Sequence, residues 1–297
     1  MLAAARCRYD DAPEGPDVTE SAPDAPDDRR TTAAPARARR RRRAVALAAG
    51  LAAAAVVVAG AAALREPPRH GGLVILYGDS LSTEASGAFV EALRRDTDAE
   101  VITRPVPGAS PCDALPQMRE DLALEPTVVV IQFVGNNGSP CVRGPDGEQL
   151  TGEALAERTV EDVRTATEMF ADQGTRVVLV GGPDAPGLPG GATRQIAEGY
   201  FDIAHGWAGR DLGRVRYADA AAAVTDGGRY VDRLPCRDGE GPEEGCVDGE
   251  VVVRNPDRVH FCPVEPEGLT CPVPSPGARR FGEEMARVAA TALDPDL

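Results

Sequence analysis

Ser80 stands at the end of the run Leu73-Val74-Ile75-Leu76-Tyr77-Gly78-Asp79-Ser80-Leu81, where apolar residues pass directly into a glycine-containing turn. Such a run reads as a buried strand. At the carboxyl end of a strand in an open α/β sheet, side chains point into the crevice where ligands bind, so the Ser80 hydroxyl is a candidate nucleophile. The competing reading is that Ser80 is an ordinary turn residue or the N-cap of a following helix. A nucleophilic serine needs a base that takes its proton near neutral pH, and histidine suits that role. Of the three histidines, His70 precedes the strand, and His205 sits in an amphipathic stretch beside Trp207 as a packed or surface residue. His260 lies in the turn-rich segment Asn255-Pro256-Asp257-Arg258-Val259-His260. Asp257 precedes it by three residues, a separation that brings both side chains to one face of a turn. There the carboxylate can fix the imidazole tautomer, or it can merely cap the turn. Acyl transfer also needs donors for an oxyanion, and Gly108 and Asn137 follow the next two strand candidates, with Asn136 competing for the same role.

The elements that must position these groups alternate. Strand candidates are Leu73 onward, Glu100–Val106, Thr127–Val134, Arg176–Val180 and Val215–Ala218. Helical stretches fall at Thr83–Arg95, Asp113–Leu124, Gly152–Asp172, Ala192–Ala208 and Pro276–Ala292. Strands of this length separated by helices predict a parallel sheet with helices on both faces. Thr225–Pro256 breaks the pattern and reads as an irregular insertion, a hairpin held by its own disulfide between Cys236 and Cys246.

Residues 1–43 contain one aromatic residue, Tyr9, among many Pro, Asp, Ala and Arg, and read as a disordered tail. The tail ends in Arg37 and Arg39 to Arg43, and Ala44–Leu64 is then 21 residues of Ala, Val, Leu and Gly alone. As a helix this run spans about 31 Å, the thickness of a bilayer core. The arginine cluster predicts a cytoplasmic tail, a single-pass signal-anchor at 44–64, a linker at 65–72 and an extracytoplasmic domain at 73–297. The alternative is a signal peptide cleaved near Ala61-Ala62-Ala63, giving a secreted protein.

Charge follows the same division. Through Leu64 there are 10 arginines and 8 acidic residues, net +2, and beyond it 22 arginines and 39 acidic residues, net −17. An exterior domain this acidic repels nucleic acid, so no nucleic-acid partner is expected. Cys7 is in the tail, whereas Cys112, Cys141, Cys236, Cys246, Cys262 and Cys271 are all in the exterior domain. Six cysteines in an oxidising compartment allow three disulfides. No Cys-x-x-Cys pair occurs and histidine is scarce, so no metal or organic cofactor is expected.

Together, Gly78-Asp79-Ser80-Leu81, Gly108, Gly135-Asn136-Asn137 and Asp257-x-x-His260 resemble, in order and context, the four blocks of the SGNH or GDSL serine hydrolase family, from Leu73 to about Leu293. The resemblance implies a flavodoxin-like three-layer α/β/α sandwich of strand order 2-1-3-4-5. It implies Ser80 as nucleophile, His260 as base, Asp257 as its orienting carboxylate, and an oxyanion hole from the Ser80 and Gly108 N–H groups and the Asn137 side chain. One departure is Gly138, where the family's third block continues with Asp. In the implied strand order the loops bearing Cys112 and Cys141 flank Ser80, which predicts a bond between them and local pairing of Cys236 with Cys246 and Cys262 with Cys271. The expected function is ester hydrolysis on a small-molecule or glycan-linked acyl ester, with membrane attachment through the N-terminal helix. An O-acyltransferase using the same triad and a catalytically inactive binding module of this fold are the alternatives.

Overall fold

A computed structural model describes residues 70–188, 192–206, 214–266 and 270–294. The expected tail and anchor, residues 65–69 of the linker and Trp207 lie outside the described residues. Among the described residues no helix is long and apolar enough to cross a membrane.

Five parallel strands form the central sheet: β1 (Gly71–Gly78), β2 (Asp98–Thr103), β3 (Val128–Gln132), β4 (Arg176–Val180) and β5 (Val215–Ala218). Their spatial order is β2-β1-β3-β4-β5, so the polarity of winding reverses beside β1. The helices between and after them are α1 (Ser80–Asp96), α2 (Pro111–Asp121), α3 (Gly152–Ala171), α4 (Thr193–Gly206) and α5 (Pro276–Leu293).

Side chains alternate across the sheet, as the two-residue strand period requires. Val74, Leu76, Val130 and Val178 face α1 and α5, meeting Phe89, Phe281 and Met285. Ile75, Tyr77, Val129, Ile131 and Leu179 face α2, α3 and α4, meeting Met118, Phe170 and Ile196. Both faces are therefore dry, which is why β3 reads as an unbroken apolar run. The expected three-layer arrangement and strand order are those observed.

Boundaries differ where local pairing outweighs residue type. β1 begins at Gly71 because Gly71 and Gly72 pair with Asp98 and Ala99, which takes two residues from the expected linker. β2 runs from Asp98 to Thr103 rather than Glu100 to Val106. Beyond Thr103 the chain still tracks β1, with the Arg104 and Val106 N–H groups donating to the Leu76 and Gly78 carbonyls. The insertion contains a two-stranded antiparallel ribbon, β6 (Arg233–Pro235) and β7 (Glu250–Val252), closed by the Cys236–Cys246 disulfide.

The largest change is at the β1–α1 junction. α1 begins at Ser80, not Thr83, because Asp79 is its N-cap and accepts from the Leu81 N–H at 3.0 Å. Asp79 is fully buried, and its second oxygen accepts from the Val134 N–H at 2.8 Å. Burial pushes its carboxyl up to about 6, against the opposing pull of the Val134 and Leu81 N–H groups. Gly78 has no room for a side chain, since a Cβ would lie 2.5 Å from Ser82 Cβ and 2.7 Å from the Gln132 carbonyl.

α5 lies directly on α1. At their crossing a Cβ on Gly282 would sit 2.5 Å from the Ala85 carbonyl and 2.9 Å from the Phe89 nitrogen, so the contact is between backbones. Gly282→Ala should push the helices apart and lower stability by roughly 1–3 kcal/mol, read as a fall in denaturation midpoint. Because the Asp79 carboxyl is raised above its unfolded value of 3.8, the native state holds that proton more tightly and stability falls as pH rises from about 4 to 6. Asp79→Asn cannot ionise, so the stability difference between variant and parent should move in the variant's favour by up to about 3 kcal/mol across that window. Denaturant titrations at pH 4 and pH 7 measure it, and a constant difference would contradict the assignment.

Candidate active site

Ser80, His260 and Asp257 line one cleft of about 280 Å³ at the carboxyl ends of the strands. Ser80 arrives there as the first residue of α1. As such it has no intrahelical acceptor for its N–H, and the helix dipole places partial positive charge around its hydroxyl.

His260 and Asp257 come from the tight turn that follows β7. The Asn255 side chain accepts from the Asp257 N–H at 3.0 Å, and the Asn255 N–H donates to the His260 carbonyl at 2.7 Å. Asp257 Oδ1 accepts from the N–H groups of Val259 and His260, at 2.8 and 3.0 Å. Its other oxygen lies 2.6 Å from His260 Nδ1. Burial would raise the Asp257 carboxyl, but the His260 ring and the two N–H donors outweigh it and hold the group below its usual value. The carboxylate is thus ionised and occupied with Nδ1, leaving Nε2 for other work. Ser80 and His260 share the cleft without a hydrogen bond between their side chains among the described contacts, as is common before substrate closes a site.

One residue that composition and spacing left unremarked completes the junction. Glu84 stands one helical turn beyond Ser80, and its carboxylate accepts from the Phe261 N–H at 2.7 Å across 177 residues of sequence. Burial raises the Glu84 carboxyl despite the Phe261 and Cys262 N–H groups and the His260 ring, which favour its charge. It lines the same cleft. The available signal was its i+4 spacing from Ser80, which puts both on one side of α1.

The two loops beside Ser80 are joined to each other. Cys112 at the start of α2 is bonded to Cys141 beyond β3. Ser139 Oγ donates to Asp113 Oδ1 at 2.6 Å, and Ser110 Oγ donates to the Asn136 carbonyl. Gly108 lies in the first loop with φ of +76°, a left-handed conformation that glycine adopts without strain. The remaining disulfides pair Cys236 with Cys246 and Cys262 with Cys271.

The two asparagines after β3 diverge. Asn137 turns away from the loop clamp, its amide donating to the Leu150 carbonyl at 3.3 Å. Asn136 is the asparagine directed at the β1 end, with its amide 3.2 Å from the Ala109 carbonyl and 3.4 Å from Asp79 Oδ2. Gly135, at φ of +98°, produces the turn, and a Cβ there would meet Ile196 at 2.6 Å. Sequence spacing could not separate two adjacent asparagines whose side chains diverge.

The other two histidines are elsewhere. His205 stacks on Phe201 with ring centroids 3.7 Å apart, and His70 faces Asp294 at 3.6 Å. Among the described residues, one group of metal-ligating types gathers, Cys112, Asp113 and Cys141, and the disulfide consumes both of its thiols.

No family model and no curated protein matches the sequence. Among solved structures, the chain is similar to a lipase/acylhydrolase from Enterococcus faecalis, with 17% identity over 75% of this chain and 97% of that one, at a TM-score of 0.47. It is similar to a GDSL-like lipase from Bacteroides thetaiotaomicron, with 16% identity over 79% and 95% of the two chains and a TM-score of 0.46. The acetyl xylan esterase AlAXEase matches with 14% identity, 73% and 98% coverage and a TM-score of 0.46.

Proposed function

We propose that the protein is a serine hydrolase of carboxylic esters, with Ser80 as nucleophile, His260 as base and Asp257 as its orienting group. The observation that carries this reading is the Asp257–His260 pair, 2.6 Å apart, opening onto the same cleft as a serine at a helix N-terminus. His260 Nε2 takes the Ser80 proton as Oγ attacks the acyl carbonyl, and returns it to the departing alcohol. Water, deprotonated by the same nitrogen, then releases the acid and restores Ser80. The oxyanion is held by the N–H groups of Ser80 and Gly108, and Asn136 takes the third place when its amide turns from the Ala109 carbonyl. Each such donor supplies roughly 3 kcal/mol when aimed at the developing charge.

The cleft walls suit a short acyl group on a polyhydroxylated alcohol, such as an acylated envelope glycan. Thr83, Glu84 and Glu265 offer hydroxyl and carboxylate partners for sugar hydroxyls, with Pro107 and Pro266 as the rigid apolar part. Three disulfides favour an oxidising, extracytoplasmic setting, in keeping with a membrane anchor at 44–64.

Ser80→Ala should abolish turnover of p-nitrophenyl acetate and of acetylated oligosaccharides, and also labelling by a fluorophosphonate. Retained turnover would refute the mechanism. Glu84 acts through the His260 turn as a positioning residue. Glu84→Ala should lower kcat about 10-fold while Glu84→Gln, which keeps an acceptor for the Phe261 N–H, recovers most of it. Equal losses in both variants, or a change confined to KM, would remove that role.

A further inference from the structure

On the other side of the His260 turn is a second concavity, of about 490 Å³, lined by Tyr230, Arg233, Arg254, Asn255 and Arg258 among others. Arg254 is unusual within it. Its side chain is among the largest fully buried in the described structure, and the residue is 2% exposed. Its Nε, Nη1 and Nη2 atoms are all buried and all lack a hydrogen-bond partner among the described residues. A guanidinium carries five N–H donors that cannot be deprotonated to relieve the cost, so burying it unpaired is expensive.

The surroundings discharge this cost only in part: Asp184, Glu84 and Asp232 favour its charge without a hydrogen bond to it. Arg254 lies 5.0 Å from the Phe261 ring centre and 5.9 Å from that of Tyr230. Arg258 lies 5.1 Å from the same Tyr230 ring. Rings attract cations but donate no lone pair to an N–H, and two guanidiniums beside one ring repel each other. The pocket's one carboxylate, Asp232, is engaged by the Tyr230 hydroxyl. In a chain whose net charge is −15, three arginines gathered around one pocket form a local exception.

We infer that this pocket is an oxyanion-binding site, in which Arg254 and Arg258 hold a carboxylate or phosphate group beside the turn that carries His260. The planar fork of arginine matches two oxygens of such a group. Asn255 lines both this pocket and the catalytic cleft, so an occupant here would bear on the turn whose hydrogen bonds set Asp257 and His260. The site is defined by its arginines and holds whether or not Ser80 is a nucleophile.

The test is calorimetric titration of the full-length protein with sodium phosphate and, separately, sodium glucuronate, at constant ionic strength made up with chloride. Saturable 1:1 binding is expected for at least one anion, and which one distinguishes phosphate from carboxylate as the natural group. Arg254→Met, which fills the buried space without charge, should weaken binding by about 10-fold or more, the contribution of a bidentate charged contact. It should also abolish the anion-dependent rise in Tm while leaving the anion-free protein at least as stable as the parent. Arg258 is exposed and adopts φ of +64°, so Arg258→Asn removes the second charge with a residue that tolerates that backbone. It should weaken binding several-fold by the same charge argument, which keeps the test decisive should Arg254→Met fail to fold. No saturable heat with either anion, or unchanged affinity in the variants that fold, would overturn the site and leave Arg254 a cation packed between rings.

Discussion

A carboxylate with no exposure to solvent governs the geometry of the site. Asp79 must satisfy its charge entirely from within the protein, and it does so with the Leu81 N–H of α1 and the Val134 N–H beyond β3. The first bond fixes where α1 starts and therefore where Ser80 lies. The second fixes the path of the chain that leads to Asn136, whose amide lies 3.4 Å from the same oxygen. Ser80 and Asn136 are thus referenced to one buried carboxylate. The cost of burying that charge is visible in its carboxyl, pushed up to about 6. It is tolerated because alternative conformations would leave both the charge and two buried N–H groups unpartnered.

A second constraint joins the beginning of the domain to its end. Ser80 and His260 come from segments about 180 residues apart, and the backbone contact between α1 and α5 at Gly282 brings their frameworks together. Glu84 then ties the His260 turn to α1 through the Phe261 N–H. This is long-range positioning achieved with one glycine and one buried carboxylate. The turn itself is rigid, since Asn255 and Asp257 each bond its backbone and Asp257 also holds the His260 ring.

The fold was legible because its strands are short apolar runs covered on both faces, a pattern that survives reading one residue at a time. β4 and β5 were located to the residue, since Arg176 and Val215 mark abrupt entries into apolar chain. Ends set by pairing were misplaced. Nothing in Gly71 and Gly72 announces that Asp98 and Ala99 lie beside them. Asp257 and His260 were readable from spacing because a turn is local. Asn136 and Asn137 were not separable, because a positive φ at Gly135 decides which amide faces the β1 end. Glu84 and Arg254 are illegible in sequence for another reason. Their significance lies in what surrounds them, and a glutamate on a helix or an arginine before a turn carries no such mark in sequence.

All three covalent bridges lie outside the five-stranded sheet. They close stretches of 29, 10 and 9 residues, one tying the loops beside Ser80 and the others bracing the insertion and the chain just after His260. The strands and their packed helices owe their cohesion to excluded water, whereas the mouth of the cleft owes much of its shape to sulfur chemistry. The two parts can therefore diverge independently: a descendant could rebuild the mouth for a new ester by moving a few cysteines, while the scaffold underneath stayed unaltered.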